Sequence, residues 1–170
     1  MDKRYQVFIS STYEDLHEER REVMQALLAL DCIPTGMELF PAADDDSWTH
    51  IKRFIAGCDY YVVIVGGRYG SRGPTGKSYT EMEYDYAVEA GLPALAFLHK
   101  DPGTIPANKT EPTDDGKVAL CAFRKKGRKL TTREVLELLR GARRNGHTLH
   151  GFADEDQAAS GLGARRPRTG

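Results

Sequence analysis

Cysteine is scarce in this 170-residue chain. Cys32, Cys58 and Cys121 are odd in number, far apart and form no Cys-x-x-Cys pair. That excludes a disulfide framework and a thiolate metal centre, and it suits reduced thiols in a cytoplasmic protein. No apolar run approaches the ~18 residues of a membrane span, and the opening MDKRYQVFISS has no signal-peptide apolar region. A surplus of charge is also missing: 24 basic and 25 acidic residues leave a net −1, so no global field draws the chain to nucleic acid or anionic lipid. The five histidines are scattered, with only a loose His147/His150 pair, and no metal site is expected. The dinucleotide fingerprint G-x-G-x-x-G is absent.

What is present is an alternation of strand and helix patterns over the first ~100 residues, which predicts an α/β fold with a mainly parallel sheet. QVFISS (6–11) reads as a short buried strand. A helix follows with Leu16, Arg20, Val23, Met24, Leu27 and Leu28 on one stripe, and Thr12-x-x-Asp15 supplies its N-cap region. IPTGMELF (33–40) is strand-like but shortened by Pro34 and Gly36. After the loop PAADDDS, Ser47 starts a helix that turns Ile51, Phe54, Ile55 and Cys58 inward. DYYVVIVGG (59–67) is the strongest strand, and its β-branched run suits a central position covered on both faces. The next helix lies in SYTEMEYDYAVEAG, with Gly91 as its C-cap, and LPALAFLH (92–99) is a fourth strand. Residues 101–117 read as a loop or lid and 133–145 as a helix. From His147 onward Gly, Ala and Arg without periodicity predict a disordered, solvated tail.

Glu83 is the most informative single residue. At about 100° per residue, Tyr79, Met82, Tyr86, Ala87 and Ala90 share one helix face, and Glu83 falls among them. Glu81, Asp85 and Glu89 form a separate acidic stripe that reads as the solvated side. A carboxylate on a core face must be satisfied or line a cleft, and such groups are candidates for chemistry. The bland alternative is a cap. Thr80-x-x-Glu83 matches a capping box, and so does Ser78-x-x-Glu81; only a start at Ser78 releases Glu83 for another role.

Ligands of parallel sheets bind beyond the carboxyl ends of the strands. Those ends carry Ser10, Ser11 and Thr12, then Glu38 and Phe40, then Gly66, Gly67, Arg68 and Tyr69, with Tyr79 and Glu83 opening the helix that follows. Gly66-Gly67 offers backbone N–H groups to an anion and Arg68 a bidentate contact. GPTGKSYT (73–80) resembles a P-loop in Gly76-Lys77-Ser78, but Ser71 stands where the first glycine belongs and Lys77 lies twelve residues past the strand. A flexible loop presenting glycine backbone is the better reading.

VFISSTYEDLHEER (7–20), GMELFPAADDDSW (36–48), DYYVVIVGGRYGS (59–71) and SYTEMEYDYA (78–87), in that order, resemble the TIR-like domain of unknown function 4062 family. The resemblance covers roughly residues 5–110. Members often precede NACHT or other NTPase and repeat modules in signalling and defence proteins. It implies a flavodoxin-like three-layer sandwich: a TIR-like α/β domain over residues 1–120, a divergent helical end over 121–146 and the tail over 147–170. Enzymatic TIR domains cleave NAD at the nicotinamide–ribose bond with a Glu in a [Cys/Ser/Thr]-x-x-Glu pattern. Nucleoside deoxyribosyltransferases carry Thr-x-x-Glu with a small residue four positions later. Thr80-x-x-Glu83 with Ala87 matches both. The resemblance therefore implies Glu83 as the catalytic carboxylate and NAD or a related nucleotide as substrate, with no resident cofactor required. Ser10, Ser11 and Arg68 would hold phosphates or ribose hydroxyls, and Tyr69, Trp48 or Phe40 would stack on a base. It equally implies a non-catalytic module acting by self-association or on a signalling partner, with the acidic stripe and the basic stretch from Arg124 to Lys129 making charge-complementary contacts. The chain departs from the family after residue 110, where a late strand near a Trp is expected and the only Trp is Trp48.

Overall fold

The structure, a computed structural model, describes residues 4–36 and 47–127. Eight elements alternate: β1 (Gln6–Ser11), α1 (His17–Ala29), β2 (Ile33–Gly36), α2 (Ser47–Ala56), β3 (Tyr60–Val65), α3 (Tyr79–Glu89), β4 (Ala94–Leu98) and α4 (Asp114–Gly127). The four strands are all parallel in the order β2-β1-β3-β4, the flavodoxin-like winding.

Side-chain alternation along the strands sorts the core into two layers. Val7, Ile9, Val62, Ile64 and Leu95 face α1 and meet Leu16 and Leu27. Phe8, Tyr61, Val63 and Val65 face the other way and pack on Ile51 and Ile55 of α2, Tyr84 and Ala87 of α3, and Leu120 and Phe123 of α4. β3 is covered on both faces between β1 and β4, as its β-branched run predicts.

Several expectations change in detail. Leu28, on the predicted stripe of α1, is 58% exposed, and Phe54 of α2 is 43% exposed, because each points past the edge of its helix's buried face. Asp15 does not cap α1, whose N-cap position is Leu16 with no side-chain bond. Residues 101–117 are not all loop: two 3-10 turns (Pro102–Thr104 and Ala107–Lys109) lead into α4, which starts at Asp114 and runs unbroken past residue 120. Gly73–Lys77 is a closed turn rather than an open, flexible loop. Its ends bond through Gly73 N–H to Lys77 O (2.8 Å) and Gly76 N–H to Gly73 O (3.0 Å), and Arg72 bridges to Ser78. Lys77 turns back to pair with Asp85 (2.6 Å).

The acidic stripe of α3 is a clearer correction. Glu81 is 7% exposed, and it accepts from the Tyr69 hydroxyl (2.5 Å) and from Lys126. Asp85 is half-buried and pairs with Lys77 and Lys126, so only Glu89 is exposed. Through Lys126 the basic stretch thus meets Glu81 and Asp85 of the acidic stripe, joining α3 to α4. Arg124 is also withdrawn, donating to the carbonyls of Val65 and Gly66 (3.4 Å each) and of His99 at the carboxyl ends of β3 and β4. Predictions for residues 37–46 and 128–170, including Glu38, Phe40, the 133–145 helix and the tail, lie outside the described residues.

Candidate functional site

The two capping boxes are resolved in favour of Ser78. Its backbone is extended (φ −66°, ψ 153°) and its hydroxyl accepts from the Glu81 N–H (3.2 Å), so α3 starts there. Glu83 is therefore not a cap. It lies on the inner face of the first turns of α3, 3% exposed, over the end of β1.

Strand alternation at that end supplies two hydroxyls with different partners. Ser10 shares the face of Phe8, is fully buried and donates to Glu83 Oε2. Ser11 shares the face of Ile9, toward α1, where Arg20 Nη1 donates to its Oγ (3.1 Å). Arg20 is itself buried. Burial pushes the Glu83 carboxyl from 4.5 up to about 7, partly offset by the Ser10 hydrogen bond and then by the Arg20 charge. Beneath lies Tyr61, completely buried, with no well-formed hydrogen bond to its hydroxyl although Ser10 neighbours it. Burial first, and the Glu83 charge next, drive its pKa well upward.

Glu83 forms part of the wall of a cleft of about 600 Å³ between the ends of β1 and β3 and the start of α3. Of the predicted site residues, Ser11, Thr12, Arg68, Tyr79 and Glu83 line it together. Ser10 sits behind Glu83 and does not reach the opening. Gly66 is enclosed by Asp15 and Leu16. Gly67 borders a separate cavity of about 530 Å³. Tyr69 is buried with its hydroxyl on Glu81 and the Arg72 guanidinium over its ring at 5.2 Å, so it offers no stacking face to the cleft. Trp48 packs edge-on against Tyr86 (6.2 Å) and borders a different depression.

Of the N–H groups expected to be free after β3, that of Gly67 is occupied, as are the next two. Asp15 Oδ2 accepts from Gly67 N–H (3.1 Å) and Arg68 N–H (3.2 Å), while Glu111 Oε2 accepts from Tyr69 N–H (3.0 Å). Arg68 is engaged as well, through Nη1 to Glu14 (2.6 Å) and Nη2 to the Asn108 carbonyl (3.0 Å). Tyr13, Glu14, Ser71, Thr80 and Glu111 complete much of the lining; none was named as a site residue from the sequence, although Thr80 opens the Thr80-x-x-Glu83 pattern. Arg20 carried a usable signal: a cation inside the apolar stripe of α1 is the same anomaly that marks Glu83. Among the described residues no cluster of metal-ligating side chains occurs, and no helix is long and apolar enough to cross a membrane.

Comparison with known proteins adds a family. The sequence profile of the family described as Domain of unknown function (DUF4062) matches residues 6–146, so the likeness extends well beyond residue 110, where the sequence reading ended it. No curated protein sequence matches the chain. Among solved structures, the chain is similar to the TIR domains of the activated Roq1 resistosome directly recognizing the pathogen effector XopQ. The identity is 18%, covering 91% of this chain and 93% of that one, with a TM-score of 0.47.

Proposed function

The chain belongs to the DUF4062 family, and from that membership and the buried carboxylate on its hydroxyl-lined cleft we propose a TIR-like domain that cleaves or transfers at an N-glycosidic bond. The substrate is a nucleotide or nucleoside, and NAD is the one to which the sequence resemblance points. The observation that carries this reading is Glu83. It is held away from water by Ser10, close enough to neutrality in pKa to ionise at working pH, and open to the cleft on one side.

In the proposed reaction the C1′–N bond breaks with its electron pair leaving on the base nitrogen; the base of a nucleoside then takes up a proton, whereas the pyridinium of NAD leaves as neutral nicotinamide. Ionised Glu83 faces the positive charge that grows on C1′ and the ring oxygen, or bonds to C1′. Water or an acceptor hydroxyl then adds to C1′ and releases a proton, which balances the one taken by a nucleoside base and, with NAD, passes to solvent. No resident cofactor enters this chemistry.

The competing reading is a non-catalytic signalling module. Its sequence-level support was the pairing of acidic and basic surfaces with a partner, and Lys126 already satisfies Glu81 and Asp85 within the chain. The test is release of free base from NAD and from nucleosides at high protein concentration, wild type beside Glu83→Gln. Release by wild type and loss of at least about a hundredfold in the variant is the expected result. Equal release by both would remove Glu83 from the chemistry.

A further inference from the structure

Resting on that reading, the chemistry of the cleft narrows the substrate. A phosphate-binding site needs open donors: a guanidinium, a run of backbone N–H groups or a helix N-terminus. Among the described residues of this cleft, the guanidinium and several of these N–H groups are already used inside the fold. The N–H groups of Gly67 and Arg68 belong to Asp15, and that of Tyr69 to Glu111. At the start of α3, the N–H of Tyr79 bonds to Ser71 O (3.0 Å) and that of Glu81 to the Ser78 hydroxyl (3.2 Å). The lining guanidinium, Arg68, spends Nη1 on Glu14 and Nη2 on Asn108, and its Nε is buried out of a ligand's reach without a partner.

The charge balance points the same way. Among the described residues, Glu14, Glu83 and Glu111 line the cleft against one cation, Arg68, with Arg20 buried behind. A phosphate entering here would face carboxylates and would have to break the Arg68–Glu14 pair. The wall instead carries hydroxyls: Tyr13, Ser71, Tyr79 and Thr80, beside Thr12, which donates to Asp15, and Ser11, which accepts from Arg20. Hydroxyls both donate and accept, which suits sugar hydroxyls and the polar edge of a base.

The geometry points to an unphosphorylated N-glycoside, a nucleoside or deoxynucleoside, as the substrate class of the Glu83 cleft, in preference to NAD or a nucleoside 5′-phosphate. The cleft discriminates by what it withholds. A nucleoside forgoes no contact by lacking a phosphate, whereas a nucleotide loses the hydration of its phosphate, meets carboxylates and finds the Arg68 guanidinium already committed.

The test compares free-base release from adenosine, its 5′-monophosphate and NAD by the full-length chain, as kcat/KM, with Glu14→Gln and Glu83→Gln alongside. Adenosine is expected to exceed the monophosphate and NAD by about tenfold or more. Glu14→Gln, which frees Arg68 Nη1, is expected to narrow that ratio by raising turnover of the monophosphate. Glu83-dependent release from NAD or the monophosphate at equal or higher kcat/KM would overturn this inference and leave the N-glycosidic reading standing. Absence of Glu83-dependent release from all three would take both away.

Discussion

At Glu83 a carboxylate gives up most of its hydration, and a serine hydroxyl and a guanidinium restore part of it. The Arg20 contribution lowers the pKa and the burial contribution raises it, so the two compete on one measurable quantity. If ionised Glu83 carries the reaction, kcat/KM rises with pH along a limb near 7 and levels off above it. Arg20→Gln removes the favourable charge, so the limb is expected to move to higher pH while the plateau rate is still approached at the alkaline end. A pH–rate profile of both proteins checks this. A uniform loss at every pH, with the limb unmoved, would mean that Arg20 serves only to hold α1 against β1. The sequence contained both members of this pair as polar residues on apolar helix faces. It did not contain their meeting, because Ser10 and Ser11 point to opposite faces of β1 and so reach α3 and α1 separately.

Among the elements, the segment after β3 depends on one carboxylate from far along the chain. Asp15 is buried and holds the N–H groups of both Gly67 and Arg68, instead of capping the helix next to it. Asp15→Ala leaves these two donors without an acceptor and is expected to cost about 2–4 kcal/mol. Gly67 is fixed by a close approach: a Cβ there would lie 2.4 Å from the Lys109 carbonyl oxygen, which is backbone and cannot rotate away. Gly67→Ala is expected to cost about 1–3 kcal/mol through a forced shift of the loop. Urea unfolding of both variants measures these losses, and wild-type midpoints would refute the arrangement. The elements with continuous patterns were legible: β1 over 6–11, β3 from its β-branched run and α3 from its period. α4 was not, for a physical reason. Its buried face is Gly116, Leu120, Phe123, Arg124 and Gly127, so two glycines and an arginine hide the apolar period. A Cβ at Gly127 would be tight against Ala96 and Leu98 (3.3 Å each), and one at Gly116 would displace the Glu111 side chain. The helix begins at Asp114, so only the last residues of the segment read as a loop or lid belong to it, and 101–113 keep their turns.

Across the whole molecule, the near-zero net charge conceals local sorting. Acidic residues of α3 take their counter-charge from α4, so a surface that looked fit for partners is spent on holding two helices together. Sequence spacing showed the stripe but not the helix that covers it. Burial of Glu83 acts on the stability of the domain in the opposite sense to these pairs. Its folded pKa, about 7, lies above the ordinary 4.5, so between those values the folded state holds more protons than the unfolded chain. By linkage, stability falls as pH rises through this window, with a total loss of about 3 kcal/mol at 1.36 kcal/mol per unit. Asp85 works the other way. Burial would raise its pKa, but Lys77 and Lys126 together bring it below the ordinary value, so its contribution is present at higher pH and is lost only on acidification past that range. Between pH 5 and 8 the Glu83 slope should therefore stand clear of it. Glu83→Gln keeps an acceptor for the Ser10 hydroxyl and removes the titration. The variant is expected to match wild type near pH 5 and to become progressively more stable than wild type toward pH 8. Urea midpoints across that range give the answer: parallel curves would mean that Glu83 is as well solvated folded as unfolded, whereas curves that diverge upward for the variant would show a domain that gives up stability to keep a charge beside its cleft.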